Sequence, residues 1–238
     1  MEHRQWLESA AAELGISLQP HQLDQFARYY ERLVEVNKTM NLTAITEEND
    51  VYIKHFYDSL TLAPLLPAES IQSLIDVGTG AGFPGIPLKI AFPHIRLTLL
   101  DSLNKRVTFL KELAEDLGLE GVEAVHRRAE EAGRQPRFRE SFDVATARAV
   151  ARLNVLSEYC MPFVRVGGIF AAMKGAGVLE EISEAQSAIS RLGGGSIRDE
   201  LLSLPEGKGD RHILLVQKNQ PTPKKYPRRP GIPAKQPL

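Results

Sequence analysis

Cysteine is nearly absent from this chain: Cys160 stands alone among 238 residues. A single thiol excludes an internal disulfide and any zinc site built from several thiolates, and it fits a reducing compartment. The six histidines show no H-E-x-x-H or comparable ligand spacing, so no metal is expected. Long apolar runs are missing as well. No stretch reaches the ~18 uninterrupted apolar residues that a membrane helix requires, and the start MEHRQWLESAAAELG lacks the basic-then-apolar order of a secretory signal. The expected location is the cytoplasm, with no membrane partner. No internal repeat is found, and low complexity is confined to GGG at 193–195 and to the Pro/Lys/Arg-rich end.

With 43% hydrophobic and 25% charged residues, the chain can bury a sizeable core in one large domain or two small ones. Its net charge of −1 hides an asymmetry. Residues from Arg211 to Leu238 include seven basic side chains and no acid, whereas 22 basic and 30 acidic residues precede them. A basic end suggests contact with an anion, although a solvated, disordered end accounts for the composition equally well.

Residues 1–68 are expected to form a helical extension: Leu23, Phe26, Tyr30, Leu33 and Val34 repeat at three-to-four spacing, and Pro20 suits a first helical turn. From about Gln72, short β runs alternate with helical stretches: SLIDV, RLTLLD, GVEAVH, SFDVATA and GGIFAAMK, with the first helix expected from Pro87 and the second over 104–117. Such alternation predicts βαβ units and a parallel sheet. IRDELLSL and RHILLVQK, separated by the turn-rich PEGKGD, read as an antiparallel hairpin at the sheet edge. The α/β domain is placed at 69–220 and a basic Pro-rich tail at 221–238.

DVGTGAGFPGIP (76–87) lies between the first strand and the first helix, where open α/β sheets bind nucleotides. Gly80, Gly82 and Gly85 match G-x-G-x-x-G, which alone is a weak signal for pyrophosphate. Here Phe83, Pro84 and Pro87 are expected to delay the helix, and Asp76 precedes Gly78, Gly80 and Gly82. A carboxylate beside the ligand repels phosphate and suits a cation. S-adenosylmethionine fits, since it is cationic, carries no phosphate and can lie flat over bare backbone. A tight turn with no ligand is the plainer alternative. Asp101 ends the next strand, nineteen positions beyond Gly82, close to the ~20-residue offset of a ribose-binding acid, and could equally cap the following helix. Ala129 and Glu130 follow the third strand, where they could meet an adenine edge, although Glu130 also suits a helix start.

The acceptor atom is narrowed by absences. After the fourth strand stands ATARAVAR rather than the polar-Pro-Pro-aromatic run common in exocyclic amine methylation. Methylation of a pyrimidine carbon needs a cysteine nucleophile, and Cys160 reads as a small buried group in an apolar-periodic helix. A ring nitrogen such as guanine N7 holds a lone pair and no proton, so alignment alone suffices.

The strings NLTAI, HFYDSL, DVGTGAGFPGIPLKI, LLDSLNKRVTFL, RAEE, TARAVA, GGIFAAMKG and YPRRPGIPAKQPL, in this order over nearly the whole chain, resemble the bacterial 16S ribosomal RNA guanine-N7 methyltransferase family, also known as the glucose-inhibited division protein B family. The resemblance implies a class I S-adenosylmethionine-dependent, Rossmann-like methyltransferase domain with an N-terminal helical extension, acting on a guanosine in the decoding-region loop of 16S ribosomal RNA or the small ribosomal subunit. It implies cofactor contacts at Gly78, Phe83, Ala129, Glu130 and Arg148. Arg148 follows the fourth strand, so it is placed to position cofactor or target, or to form a surface ion pair. Under this reading Lys224, Lys225, Arg228 and Arg229 grip RNA phosphates while Tyr226 stacks on a base. His55 and Asp58 share a helix face, with structural hydrogen bonding favoured over guanine contact. A nicotinamide-dependent oxidoreductase on a similar fold and a non-catalytic ribosome-assembly factor are the alternatives.

Overall fold

The computed structural model describes residues 2–238. The three-to-four periodicity of the first sixty residues is realised as helices: α1 (Glu2–Glu13), α2 (Pro20–Met40), then a continuous run of α3 (Glu48–Val51), a π-helical segment (Tyr52–Tyr57) and α4 (Asp58–Leu60). Leu23, Phe26, Tyr29 and Leu33 are buried along one stripe of α2, as an amphipathic helix on a core requires.

From Ser73 the chain alternates β1 (Ser73–Val77), α5 (Gly85–Ala91), β2 (Arg96–Asp101), α6 (Asn104–Asp116), β3 (Val122–His126), α7 (Ala129–Ala132), β4 (Phe142–Arg148), α8 (Leu153–Cys160), β5 (Val164–Lys174) and α9 (Leu179–Arg191). It ends with β6 (Gly194–Ser203), β7 (Asp210–Lys218) and α10 (Ile232–Lys235). The strand order is β3-β2-β1-β4-β5-β7-β6. Strands β1 to β5 pair in parallel, while β7 is antiparallel to both β5 and β6. This is the mostly parallel α/β sheet with a terminal hairpin that the sequence predicts, although β7 inserts beside β5 and leaves β6 as the edge. One boundary is corrected: α5 begins at Gly85 rather than Pro87. Proline is tolerated in a first turn because the missing N–H has no intrahelical partner there, so Pro87 does not delay the helix.

Period-two alternation decides what each face of β4 carries. Val144, Thr146 and Arg148 point one way, Ala145 and Ala147 the other. On the first side Leu7, Phe26, Tyr29, Leu33 and Phe56 share a core with Leu74, Leu97, Leu99, Val144 and Met173. The N-terminal helices thus bury their apolar stripe on the sheet itself. On the second side Ile75, Val77, Ala145, Leu156, Ile189 and Tyr226 form the other core. Cys160 belongs to it, fully enclosed, and burial pushes its thiol well above the ordinary range; it is the small buried group expected of it. Among the described residues no helix is long and apolar enough to cross a membrane.

The loop after β1 rests on α2. Tyr29 donates its hydroxyl proton to the carbonyl of Ala81 at 2.6 Å, and Gly82, at φ +105°, turns inward so that a Cβ there would lie 2.8 Å from Tyr29 Oη and 2.9 Å from Ile86 Cγ1. Gly82→Ala is therefore expected to destabilise the fold by about 2–4 kcal/mol through overpacking and backbone strain. Denaturant unfolding measures it.

Candidate active site

The chain turns sharply after Val77, where the N–H groups of Gly78 and Thr79 both donate to the Leu100 carbonyl, at 2.8 and 3.2 Å. Gly78 (φ +70°) and Gly80 (φ +63°) then occupy the left-handed region that favours glycine. A Cβ on Gly80 would meet no atom within 4 Å, and one on Gly78 would press on Val150 at 2.8 Å. Gly80 faces open space and Gly78 lies under Val150; both line cavities described below, whereas Gly82 packs inward and lines none of them.

The two acids of the loop part company. Asp76 has no exposed surface. Its Oδ2 accepts from Thr79 Oγ1 at 2.7 Å and from the Gly85 N–H at 2.9 Å, its Oδ1 has no partner, and burial pushes its carboxyl up to about 7. The expectation that Asp76 faces the ligand is corrected: it clips the two ends of the loop together from beneath. Asp101 remains at the cavity wall. Its Oδ2 accepts from the Gly80 N–H at 3.0 Å and its Oδ1 from that of Leu103 at 2.9 Å.

Three cavities follow the carboxyl ends of the strands. The first, about 250 Å³, is lined by Val77, Gly78, Asp101, Ser102, Ala129, Glu130, Val150 and Tyr159. The second, about 420 Å³, is lined by Thr43, His55, Gly78, Gly80, Phe83, Asp101, Arg106 and Arg148. The third, about 310 Å³, adds Lys54, Asp58, Met173, Lys174 and Arg211 to His55 and Arg148. Shared residues join them into one cleft. Glu130 is 4% exposed and its Oε1 accepts from the Gly231 N–H at 3.0 Å, so its carboxylate is turned to the tail and its backbone is what it offers the cleft.

Arg148 ends β4 on the face covered by the N-terminal helices. Its Nη1 donates to the Lys54 carbonyl and to Asp58 Oδ2, both at 3.0 Å, and its Nη2 to His55 Nδ1 at 3.1 Å. Asp58 is 2% exposed and also accepts from Arg211 Nε at 3.2 Å. The Nδ1 of His55 also lies 3.1 Å from the Lys54 carbonyl, and its Nε2 lies 2.9 Å from Thr43 Oγ1, so both ring nitrogens are occupied within the cluster. Burial, then the charge of Arg148, holds the His55 pKa down at about 3. The Phe83 ring lies against His55 (4.5 Å between centroids) and Tyr29 (5.2 Å), with the Arg148 guanidinium carbon 4.9 Å from the centre of that ring. Arg148 is thus no surface ion pair, and His55 and Asp58 are brought together with it.

The tail departs from the sequence-based expectation. Tyr226 is 6% exposed, leaving no ring face for a base. Arg228 is bound to the fully enclosed Glu158 by contacts of 2.6–3.0 Å. Both are withdrawn from RNA by burial and pairing, while Lys224, Lys225 and Arg229 are exposed. Sequence reasoning missed Ser102, Val150, Tyr159, Lys54, Lys174 and Arg211 on the cleft wall. Arg211 is counted with the tail in one dimension, and Tyr159 gives no signal inside an apolar-periodic helix.

Residues 22–213 match the family described as rRNA small subunit methyltransferase G. The ribosomal RNA small subunit methyltransferase G of Brevibacillus brevis is 53% identical over 238 residues, covering 100% of both chains. That of Lactiplantibacillus plantarum is 54% identical over 234 residues, 97% of this chain and 96% of the relative. Among solved structures, an O-methyltransferase from Bacillus cereus in complex with SAH matches at a TM-score of 0.58 and 18% identity, over 80% of this chain and 91% of that one. Aeropyrum pernix fibrillarin with bound S-adenosyl-L-methionine matches at 0.51 and 13%, over 63% and 68%. At these identities the structural likeness establishes the fold.

His55 sets a pH dependence with a definite sign. Its folded pKa of about 3 lies below the unfolded value near 6.5, so its contribution is complete above about pH 6.5 and is lost as pH falls toward 3. Asp76, raised to about 7, acts oppositely: its contribution is complete below about pH 4 and is lost as pH rises through 7. His55→Gln is expected to flatten the acid side of the stability profile by up to ~1.4 kcal/mol per pH unit. Urea unfolding of both proteins between pH 4 and 6.5 checks this, the Asp76 contribution cancelling in the difference.

Proposed function

The chain belongs to the rRNA small subunit methyltransferase G family, and on that premise we propose that its cleft transfers a methyl group from S-adenosylmethionine to N7 of a guanosine in 16S ribosomal RNA. The donor fits the residues present. Gly80 leaves open the volume that a Cβ would fill, Gly78 has only Val150 over it, and the second cavity runs from these glycines to Phe83 and Arg148. The first cavity, with Asp101 and the Ala129–Glu130 backbone on its wall, suits the adenosine; the second suits the methionine end. Bound there, S-adenosylmethionine supplies a methyl group on a sulfonium: N7 accepts it with its own lone pair, the carbon–sulfur electron pair stays with sulfur, the positive charge passes to the guanine ring, and no proton is released.

One observation carries the choice of acceptor. Every carboxylate lining the three cavities, and the one imidazole, is already engaged: Asp58 by Arg148 and Arg211, Asp101 by the Gly80 and Leu103 N–H groups, Glu130 by the Gly231 N–H, and His55 by Arg148 and Thr43. An acceptor that must lose a proton needs a free base; N7 needs only alignment within about 3–3.5 Å. The chain's own work is positional. Arg148 holds the Phe83 ring and the N-terminal helices in one arrangement, and Lys174 and Arg211, paired with Glu181 and Asp58, complete the wall of the third cavity.

The test is transfer of a tritiated methyl group to small subunits and to stripped 16S RNA, followed by borohydride and aniline treatment, which breaks the strand at N7-methylguanosine. One labelled, aniline-sensitive guanosine is expected, and Arg148→Met is expected to lower its formation by about 10²-fold. Label without an aniline-sensitive site overturns the assignment of N7.

A further inference from the structure

The last segment of the chain, basic and rich in proline, has the composition of a free tail and the contacts of a folded element. Thr222 N–H donates to Glu140 Oε1 at 2.6 Å, and Arg139 donates to the carbonyls of Thr222 at 2.6 Å and Tyr226 at 2.8 Å. Arg134 Nε donates to the Pro227 carbonyl at 2.9 Å. Tyr226, Pro227 and Pro233 are buried, so the segment is anchored on both sides of Arg228.

One of its contacts ends on the wall of the first cavity and another ends one residue away from it. Gly231 N–H donates to the carboxylate of Glu130, which lines that cavity. Arg228 engages Glu158 through its backbone N–H at 2.7 Å and through its guanidinium, and the next residue along α8, Tyr159, lines the cavity from the other side. Arg228 and Gly231 themselves line none of the three cavities.

Three physical points give this arrangement a role. First, α7 is four residues long, and a single turn has little stability of its own, so its position is set by what it touches. Second, the Glu158 carboxylate has no exposed surface, and a buried charge that loses its partner is destabilised strongly enough to move the element carrying it. Third, Pro227 approaches the end of α7 so closely that a Cβ on Gly133 would meet its Cγ at 3.2 Å, leaving no slack between tail and helix.

We propose that residues 226–231 are a strap that fixes α7 against α8, so that cofactor affinity is set in part by Arg228 and Gly231, positioning residues that touch neither cofactor nor RNA. The inference rests on the cofactor reading given above and deepens it. It replaces, for Arg228, the phosphate-gripping role expected from sequence.

The experiment compares wild type with Arg228→Lys, which keeps the charge and loses the two-pronged grip, and with Arg228→Met. Calorimetry with S-adenosylhomocysteine reads affinity, steady-state transfer reads kcat and KM for each substrate, and thermal melting confirms folding. Leaving Glu158 without its full partner is expected to weaken S-adenosylhomocysteine binding and raise KM for S-adenosylmethionine by about tenfold in Arg228→Met and less in Arg228→Lys, with kcat and KM for the ribosomal substrate little changed. A second measurement uses wild type alone: by reciprocity, S-adenosylhomocysteine slows hydrogen exchange at the Arg228 and Gly231 amides. Unchanged cofactor affinity in a folded Arg228 variant, weakened RNA binding alone, or unchanged exchange at both amides overturns the strap. A wild-type chain that binds no S-adenosylhomocysteine overturns the cofactor reading as well.

Discussion

A cation placed at the end of β4, on the covered face of the sheet, constrains most of what surrounds it. The Arg148 side chain is 16% exposed, and a guanidinium so enclosed must be neutralised and hydrogen-bonded or it destabilises the fold. Everything that meets that need comes from one stretch of the N-terminal helices: the Lys54 carbonyl, the His55 ring and the Asp58 carboxylate. Lys54 and His55 lie in the π-helical segment and Asp58 opens α4 directly after it; a π-helix shifts the register of backbone bonding and recurs at functional sites. The N-terminal helices are therefore part of the cleft wall. Asp58 in turn draws Arg211 from β7, so strands on either side of β5 are tied to the same carboxylate.

Phe83 passes this constraint to the loop. Its ring lies between His55 and Tyr29, with Arg148 near its face, and aromatic and cation–π contacts of this kind are directional. Tyr29 then holds the Ala81 carbonyl, and Asp76 ties Thr79 to Gly85 from below. The loop is thus fixed from both sides before any ligand arrives, which favours tight binding because little ordering is left to be done.

Much of this was legible in one dimension. The alternation from Gln72 onward gave the parallel sheet, and the turn-rich PEGKGD gave the hairpin, because both depend on local periodicity and turn chemistry. The turn at Gly78 and Gly80 was also legible, since both sit in the left-handed region that favours glycine. The orientation of Gly82 was not, because it depends on Tyr29, some fifty residues earlier. The tail misled for a related reason. A run of basic residues reads as solvated unless a buried acid far away in sequence claims one of them, and Glu158, inside an apolar-periodic helix, gave no sign that it would.

The displaced role of Asp76 changes the argument for a cationic ligand. A carboxyl enclosed beneath the loop and raised to about 7 is only partly charged near neutral pH, so it cannot be the anion that selects a sulfonium. Asp101 is the acid that remains on the cavity wall, and both its oxygens already accept backbone N–H groups; it can add ribose hydroxyls only through its remaining lone pairs. On the reading proposed above, selectivity for the donor rests less on a field of negative charge than on shape: bare backbone at Gly78 and Gly80, a ring at Phe83, and walls set by elements that the loop itself does not contain. Exclusion of phosphate follows from the same geometry, because Asp101 accepts the Gly80 N–H that an anion would otherwise claim.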